Sequence, residues 1–462
     1  MTREIRLNAF DMNCVGHQSP GLWRHPSDRS WDYKTIGYWT HLAKVLERGL
    51  FDGIFLADVL GVYDVFGGNH DAALRNSTQL PVNDPMMLVS AIAAVTENLG
   101  IGVTAATAFE HPFPFSRRAS TLDHLTGGRF AWNVVTGYLP SAARALGDDD
   151  QMAHSDRYDH ADDYMAVLYK LWEGSWEDDA VLRDRVSGIF TDPAKVHTVE
   201  HNGPHFKVSA VHLCEPSPQR TPFIYQAGSS PRGKRFAVDH AEAIFTAAPT
   251  KQVLAANVKD IRDQLRAAGR DPYSIKVFQM LTVVTAETSE KAHAKHDEYL
   301  TYTSDEGALT LMSGWMGIDL SKYSLDDPIG DVDSNAIKST IAAFNQESDN
   351  GRVWRVRDIA AWGGIGGLGP RAVGSPAEVA DTMQEWIHET DIDGFNLPYA
   401  ITPGSFEDVV EFLVPELQRR GAYKTQYTPG TLRNKIFGTG DYLPKSHRGS
   451  RYRYDAAPVP VA

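Results

Sequence analysis

Cysteine is nearly absent from this chain: Cys14 and Cys214 are the only two among 462 residues. That excludes a disulfide framework and a thiolate metal cluster. Long apolar runs are missing too. No stretch approaches the roughly 18 uninterrupted apolar residues of a membrane span, and the opening MTREIRLNAF lacks the apolar core of a secretory signal. Positive charge is in deficit, with 45 Lys and Arg against 59 Asp and Glu and a formal net charge of −14. A surface of that sign repels nucleic acid and anionic membrane. The expectation is a soluble, cytoplasmic enzyme acting on a small molecule, with neither nucleic acid nor membrane as partner.

The apolar residues that are present, 42% of the chain, are ample for a large core. Their arrangement is clearest in RRASTLDHLTGGRFAWNVVTG, residues 117–137. Arg117–Leu125 has helical spacing, Gly127 and Gly128 stop the helix, and Phe130–Val135 reads as a strand buried on both faces. Eight such strand candidates recur: Ile5–Phe10, Gly53–Val59, Ile101–Phe109, Phe130–Thr136, Pro222–Gly228, Ala243–Ala247, Ile275–Val284 and Gly394–Ala400. Helical patterns fall between them at Tyr38–Arg48, Pro85–Glu97, Tyr158–Trp172, Val253–Ala268 and Pro376–Glu389. Eight alternations predict an α/β fold, one closed TIM (β/α)8 barrel spanning residues 1–440, with a C-terminal tail at 441–462. Three connections, near 60–84, 174–220 and 286–372, are long enough to be lids or substrate loops. A helical patch at Ser334–Asn345 lies in the third. The stretch after about residue 425, basic and rich in Gly and Pro, reads as wrapping a surface, packing on a neighbouring subunit or partly disordered.

Polar residues at strand ends are the candidates for chemistry, because barrel sites form there. Asp58 closes GIFLAD, where an acid serves a ligand or caps a loop. Thr104 and Thr107 offer hydroxyls within IGVTAATAF. Asn133 interrupts an apolar strand; its paired donor and acceptor match either a heteroaromatic imide edge or an internal network. His154 and Tyr158 fall four apart, on one face of a helix. In QAGSSPRGKRFA a strand end, Ser229, Ser230 and a helix start make a phosphate cradle. Three decoys are set aside. Gly364, Gly366 and Gly369 satisfy G-x-G-x-x-G without a preceding strand. His293 and His296 sit among charges on a solvated helix, and Asp148–Asp150 reads as a solvated turn, so no metal is expected.

Taken together, LDHLTGGRFAWNVVTG, SDRYDHADDYMAVLYKLWEGSWEDDA, FTDPAKVH and QAGSSPRGKRFA resemble the bacterial-luciferase-like flavin monooxygenases. They are most similar to the branch containing nitrilotriacetate, dibenzothiophene-sulfone and dimethyl-sulfide monooxygenases. LNAFDMNCVGHQSPGLWRHP, ADVLGVYDVFGG and DGFNLPYAITPGS look closest to its dimethyl-sulfide members. The resemblance covers about residues 4–440. It implies a two-component enzyme that receives reduced FMN from a separate NADH-dependent flavin reductase and uses O2 to oxygenate a small organic substrate, often cleaving a C–S or C–N bond. The family's flavin positions fall on Asp58, Thr104, His154, Tyr158 and Ser230, with Asn133 as an added contact. Tyr158 and Ser230 would hold the phosphate, and Asp58 and Thr104 would lie near the ring. His17, Trp23 and His25, after the first strand, are candidates for the substrate side; a packed loop explains them equally well. No side chain is singled out as general acid or base, and a dimer or tetramer is the family expectation. Rival readings are a riboflavin-cleaving lyase, an aminopolycarboxylate or sulfone monooxygenase, deazaflavin hydride transfer, and a flavin-storing protein without turnover.

Overall fold

Short apolar strands that must be buried on both faces have few ways to pair except as a parallel sheet covered by helices. In the computed structural model, which describes residues 3–228, 230–328 and 353–455, that sheet closes on itself. The strands are β1 (Arg6–Met12), β2 (Gly53–Ala57), β3 (Gly100–Ala106), β4 (Phe130–Val135), β5 (Val181–Asp184), β6 (Ile189–Thr191), β7 (Val199–Asn202), β8 (Lys207–Ala210), β9 (Phe223–Gln226), β10 (Ala243–Thr246), β11 (Lys276–Met280), β12 (Thr282–Thr285), β13 (Arg371–Gly374) and β14 (Gly394–Leu397). The barrel order is β1-β14-β11-β10-β9-β4-β3-β2, all parallel. The eight expected strands all contribute to it, so the fold is the TIM barrel read from the sequence.

One expected strand needs correction. Ile275–Val284 is not continuous: β11 stays in the barrel, and beyond Leu281 the chain leaves it as β12 to pair in parallel with β13. Gln279, fully buried near the end of β11, donates to the Ala248 and Met280 carbonyls (2.8 and 3.0 Å) and so binds the turn. The helix expected at Pro85–Glu97 is shorter, a 3-10 turn at Pro85–Leu88 followed by an α-helix at Val89–Ala93. The helix before β4 starts earlier than expected, at Pro112, and Gly127 and Gly128 beyond it have φ of 60° and 81°.

Register sets what faces inward. Phe10 pairs with Phe55, Thr104 with Asn133, and Phe245 with Phe278. Phe55 stacks on Phe245 with centroids 4.3 Å apart and on Phe10 at 5.1 Å, which fills the barrel's middle with rings. Below them the helix Leu432–Phe437 closes the amino-terminal end. Its Leu432 and Ile436 pack with Phe55, Phe223 and Phe278, and the Leu432 amide donates to the Gly128 carbonyl at 2.8 Å. The segment assigned to a tail continues onto the surface of the helix His154–Gly174, where the fully buried His447 ring donates to the His240 carbonyl (2.9 Å) and accepts from the Gly449 amide (3.0 Å).

The 174–220 connection folds as two antiparallel hairpins, β5–β6 and β7–β8. The 286–372 connection carries helices Ser289–Leu300, Asp305–Met316 and Val356–Gly363, whose Leu309, Met312, Val356 and Ile359 form a core of their own. The Ser334–Asn345 patch lies outside the described residues, as does Ser229. Among the described residues no helix is long and apolar enough to cross a membrane.

Candidate active site

A cavity of about 570 Å³ opens at the carboxyl ends of the barrel strands, within the range of ligand pockets. Phe10, Phe55 and Phe245 line its inner end, and Val59, Val135 and Met280 its walls. Asp58, one residue beyond β2, lies in this wall. Burial, reinforced by Asp84, pushes its carboxyl up from 3.8 to about 7.

Thr104 and Asn133 reach the same cavity from β3 and β4. They are register partners, so both side chains point inward, and Asn133 Nδ2 donates to Thr104 Oγ1 at 3.0 Å. The hydroxyl thereby orients the amide. Asn133 Oδ1 has no partner although the residue is only 2% exposed. An orphaned buried acceptor in a cavity wall is costly unless a ligand donor meets it. Thr107, by contrast, is buried and is not part of the cavity wall.

His154, Tyr158 and Ser230 gather beside Gly228, at the cavity's edge. Ser230 caps the helix Pro231–His240, its Oγ accepting from the Gly233 amide at 3.0 Å, and lies 3.4 Å from His154 Nε2. The Tyr158 hydroxyl faces the strand end and the helix start at once. A methyl on Gly233 would come within 2.7 Å of it, and one on Gly228 within 2.9 Å. Only glycine permits that approach, and it leaves backbone amides and three side-chain polar groups around one helix N-terminus, the arrangement that suits a phosphate. Arg232 rests over the Tyr158 ring, 5.3 Å from its centroid, and is tied to Asp159 and Asp162.

Of the three substrate-side candidates, His17 alone lines the cavity. It is buried edge-on against Phe10 (4.5 Å), and burial pulls its imidazole down to about 3, so it is neutral. Trp23 and His25 do not line the cavity. Trp23 is 37% exposed, and His25 packs against Tyr299 and Tyr302 with Glu298 3.3 Å away. Neither residue is brought to the cavity: His25 is packed in its loop and Trp23 faces outward.

Sequence reasoning missed a polar roof. The Tyr63 hydroxyl donates to Gln79 Oε1 (2.9 Å), meets the Tyr138 hydroxyl (2.5 Å) and accepts from Trp315 Nε1 (3.1 Å). Gln79 in turn donates to the His17 carbonyl at 2.9 Å. Gln79, Tyr138 and Trp315 all line the cavity. Tyr138 carried a usable signal, standing just past the end of β4; Tyr63, Gln79 and Trp315 come from two separate long connections and had none.

Together the site offers an aromatic inner wall for a flat ring, an acceptor for an imide N–H, and an amide-and-hydroxyl cradle for a phosphate. A flavin mononucleotide has these features. The luciferase-like monooxygenase family model matches residues 10–394. Over 454 residues the chain is 51% identical to a dimethyl-sulfide monooxygenase of Hyphomicrobium sulfonivorans, covering 98% of this chain and 94% of that protein. It is 48% identical to a long-chain alkane monooxygenase of Geobacillus thermodenitrificans, covering 98% and 99%. Among solved structures, DmoA from Hyphomicrobium sulfonivorans superposes with a TM-score of 0.93 at 50% identity over all of both chains. A riboflavin lyase holding modified FMN and riboflavin superposes with a TM-score of 0.89 at 37% identity, over 98% of this chain and 100% of that one.

Proposed function

The chain belongs to the luciferase-like monooxygenase family, a flavin-dependent monooxygenase using reduced FMN and O2, and we propose that it oxygenates a small, uncharged organic sulfide. The carrying observation is the absence of a free cation among the described residues of the cavity wall. Lys234 is the only Lys or Arg there, and Asp260 and Asn257 hold its ammonium, each at 2.9 Å. His17 is neutral. An aminopolycarboxylate brings several negative charges that such a wall would leave unpaired. Similarity to the dimethyl-sulfide monooxygenase supports a sulfide, with cleavage of its C–S bond.

When bound, reduced FMN supplies the electrons that activate O2; the chemistry is the cofactor's, and the protein's work is placement and exclusion of water. Asn133, oriented by Thr104, would hold the imide edge and Tyr158, Ser230 and His154 the phosphate. Asp58 would lie beside the ring. The Tyr63–Tyr138–Trp315 roof would keep water from the reacting face. A separate flavin reductase would deliver the reduced cofactor, and the enzyme would work as a cytoplasmic homo-oligomer.

The test supplies purified protein with FMN, NADH and a generic flavin reductase, then follows oxygen use and products with dimethyl sulfide, a longer sulfide, a long-chain alkane, nitrilotriacetate and riboflavin. Sulfide-dependent product is the expected result. Turnover of nitrilotriacetate or riboflavin, with the sulfides untouched, would overturn the substrate reading.

A further inference from the structure

We propose, building on the flavin reading above, that Arg157 supplies the positive charge that meets the phosphate of FMN. The cradle of Tyr158, Ser230 and His154 offers hydroxyls, an imidazole and backbone amides, whereas a phosphate monoester is close to a dianion at neutral pH. It would enter a protein of net charge −14, so the surrounding field opposes it and a local cation is needed.

Three cations flank the cradle along the chain: Arg157 beside Tyr158, and Arg232 and Lys234 among the first four residues of the helix Pro231–His240. Arg232 is spent on Asp159 (2.9 Å) and Asp162 (2.5 Å). Lys234 is spent on Asp260 (2.9 Å). Arg157 differs from both: it forms no ion pair with any described residue. One guanidinium nitrogen donates to the neutral amide oxygen of Gln151, and its Nε is buried with no partner among the described residues. Burial disfavours the charge on this half-buried guanidinium, and the neighbouring Tyr158 offsets that in part. Such a group is poised for an anion, and its planar fork matches phosphate oxygens better than an ammonium does.

The surroundings give it somewhere to act. Arg157 and Gln151 line a second cavity of about 100 Å³ together with His160, Thr136 and Gly137. The turn after β4 divides this cavity from the large one: Val135 and Tyr138 line the large cavity, Thr136 and Gly137 the small. Arg157 also directly precedes Tyr158 on the helix His154–Gly174. The small cavity gives the guanidinium room to leave a replaceable neutral partner for a charged one.

The experiment compares binding of FMN and riboflavin, which differ by the phosphate, to wild type, Arg157→Gln and Arg157→Lys, read by flavin fluorescence quenching, with thermal unfolding as the check on folding. Arg157→Gln should weaken FMN binding roughly 10- to 100-fold and leave riboflavin affinity unchanged, and Arg157→Lys should recover part of the loss. Unchanged FMN affinity, or equal weakening of both flavins in a folded variant, would overturn the assignment while leaving the flavin reading intact. Wild-type protein that binds neither flavin would overturn both.

Discussion

Asn133 and Thr104 stand opposite each other on adjacent strands, and the 3.0 Å bond from Asn133 Nδ2 to the threonine hydroxyl fixes which way the amide faces. The consequence is an Oδ1 that is buried, oriented and unpartnered. If it accepts from the flavin ring, Asn133→Ala should weaken FMN and riboflavin equally, by about 1–3 kcal/mol. Thr104→Val, which frees the amide to rotate, should cost less. Equilibrium titration with both flavins checks this, and a loss confined to FMN would contradict it.

Asp58 should make stability pH-dependent. Its carboxyl is raised to about 7 by burial and by Asp84, so the folded state keeps a proton that the unfolded chain releases near its ordinary 3.8. Stability therefore falls as pH rises through that interval. Buried Asp11, raised to about 7, adds a contribution of the same sign. Asp58→Asn removes one share: it should flatten the decline and unfold at a higher temperature than wild type at about pH 8. Thermal unfolding against pH in the flavin-free protein measures it, and an unchanged slope would refute it.

The barrel was legible because its strands are short, mostly apolar runs, and a run buried on both faces has one pattern. That same logic joined β11 to β12. Leu281 and its neighbours are equally buried on both sides of the point where the chain leaves the barrel, and periodicity carries no sign of which sheet a buried strand joins. The rim residues Asp58, Thr104 and Asn133 were legible as polar interruptions of such runs. Trp23 and His25 were not separable from His17, because a loop's direction after Phe10 depends on contacts such as His25 with Tyr299, nearly three hundred residues away in sequence. The Tyr63 roof was hidden for the same reason: its four members come from three distant segments, and nothing local distinguishes them.

That roof should control where oxidising equivalents go. Tyr63 is 1% exposed and its hydroxyl serves Gln79, Tyr138 and Trp315 together. Tyr63→Phe keeps the ring but leaves Gln79 Oε1 and Trp315 Nε1 short of a partner, at a cost of about 1–3 kcal/mol each where water does not replace it. Water that does enter reaches the reacting face. NADH oxidation should persist in the coupled assay while hydrogen peroxide rises at the expense of oxygenated product. A product-to-NADH ratio equal to that of wild type would remove the roof from the mechanism.

The C-terminal helix should behave as part of the barrel, because its anchor is an ion pair with no access to water. Arg433 and Glu242 have side chains 1% and 2% exposed, joined by bonds of 2.6 and 2.8 Å, and the guanidinium also donates to the Thr221 carbonyl at 2.9 Å. Removing one partner strands the other charge in the interior. Arg433→Met should therefore cost about 3–5 kcal/mol, and Arg433→Met combined with Glu242→Leu should recover most of that loss, since two apolar groups leave no charge unpaired. Urea unfolding of the single and combined variants measures both steps. A combined variant no more stable than Arg433→Met would mean that the guanidinium's carbonyl contacts, rather than its charge, hold Leu432–Phe437 against the barrel's amino-terminal end.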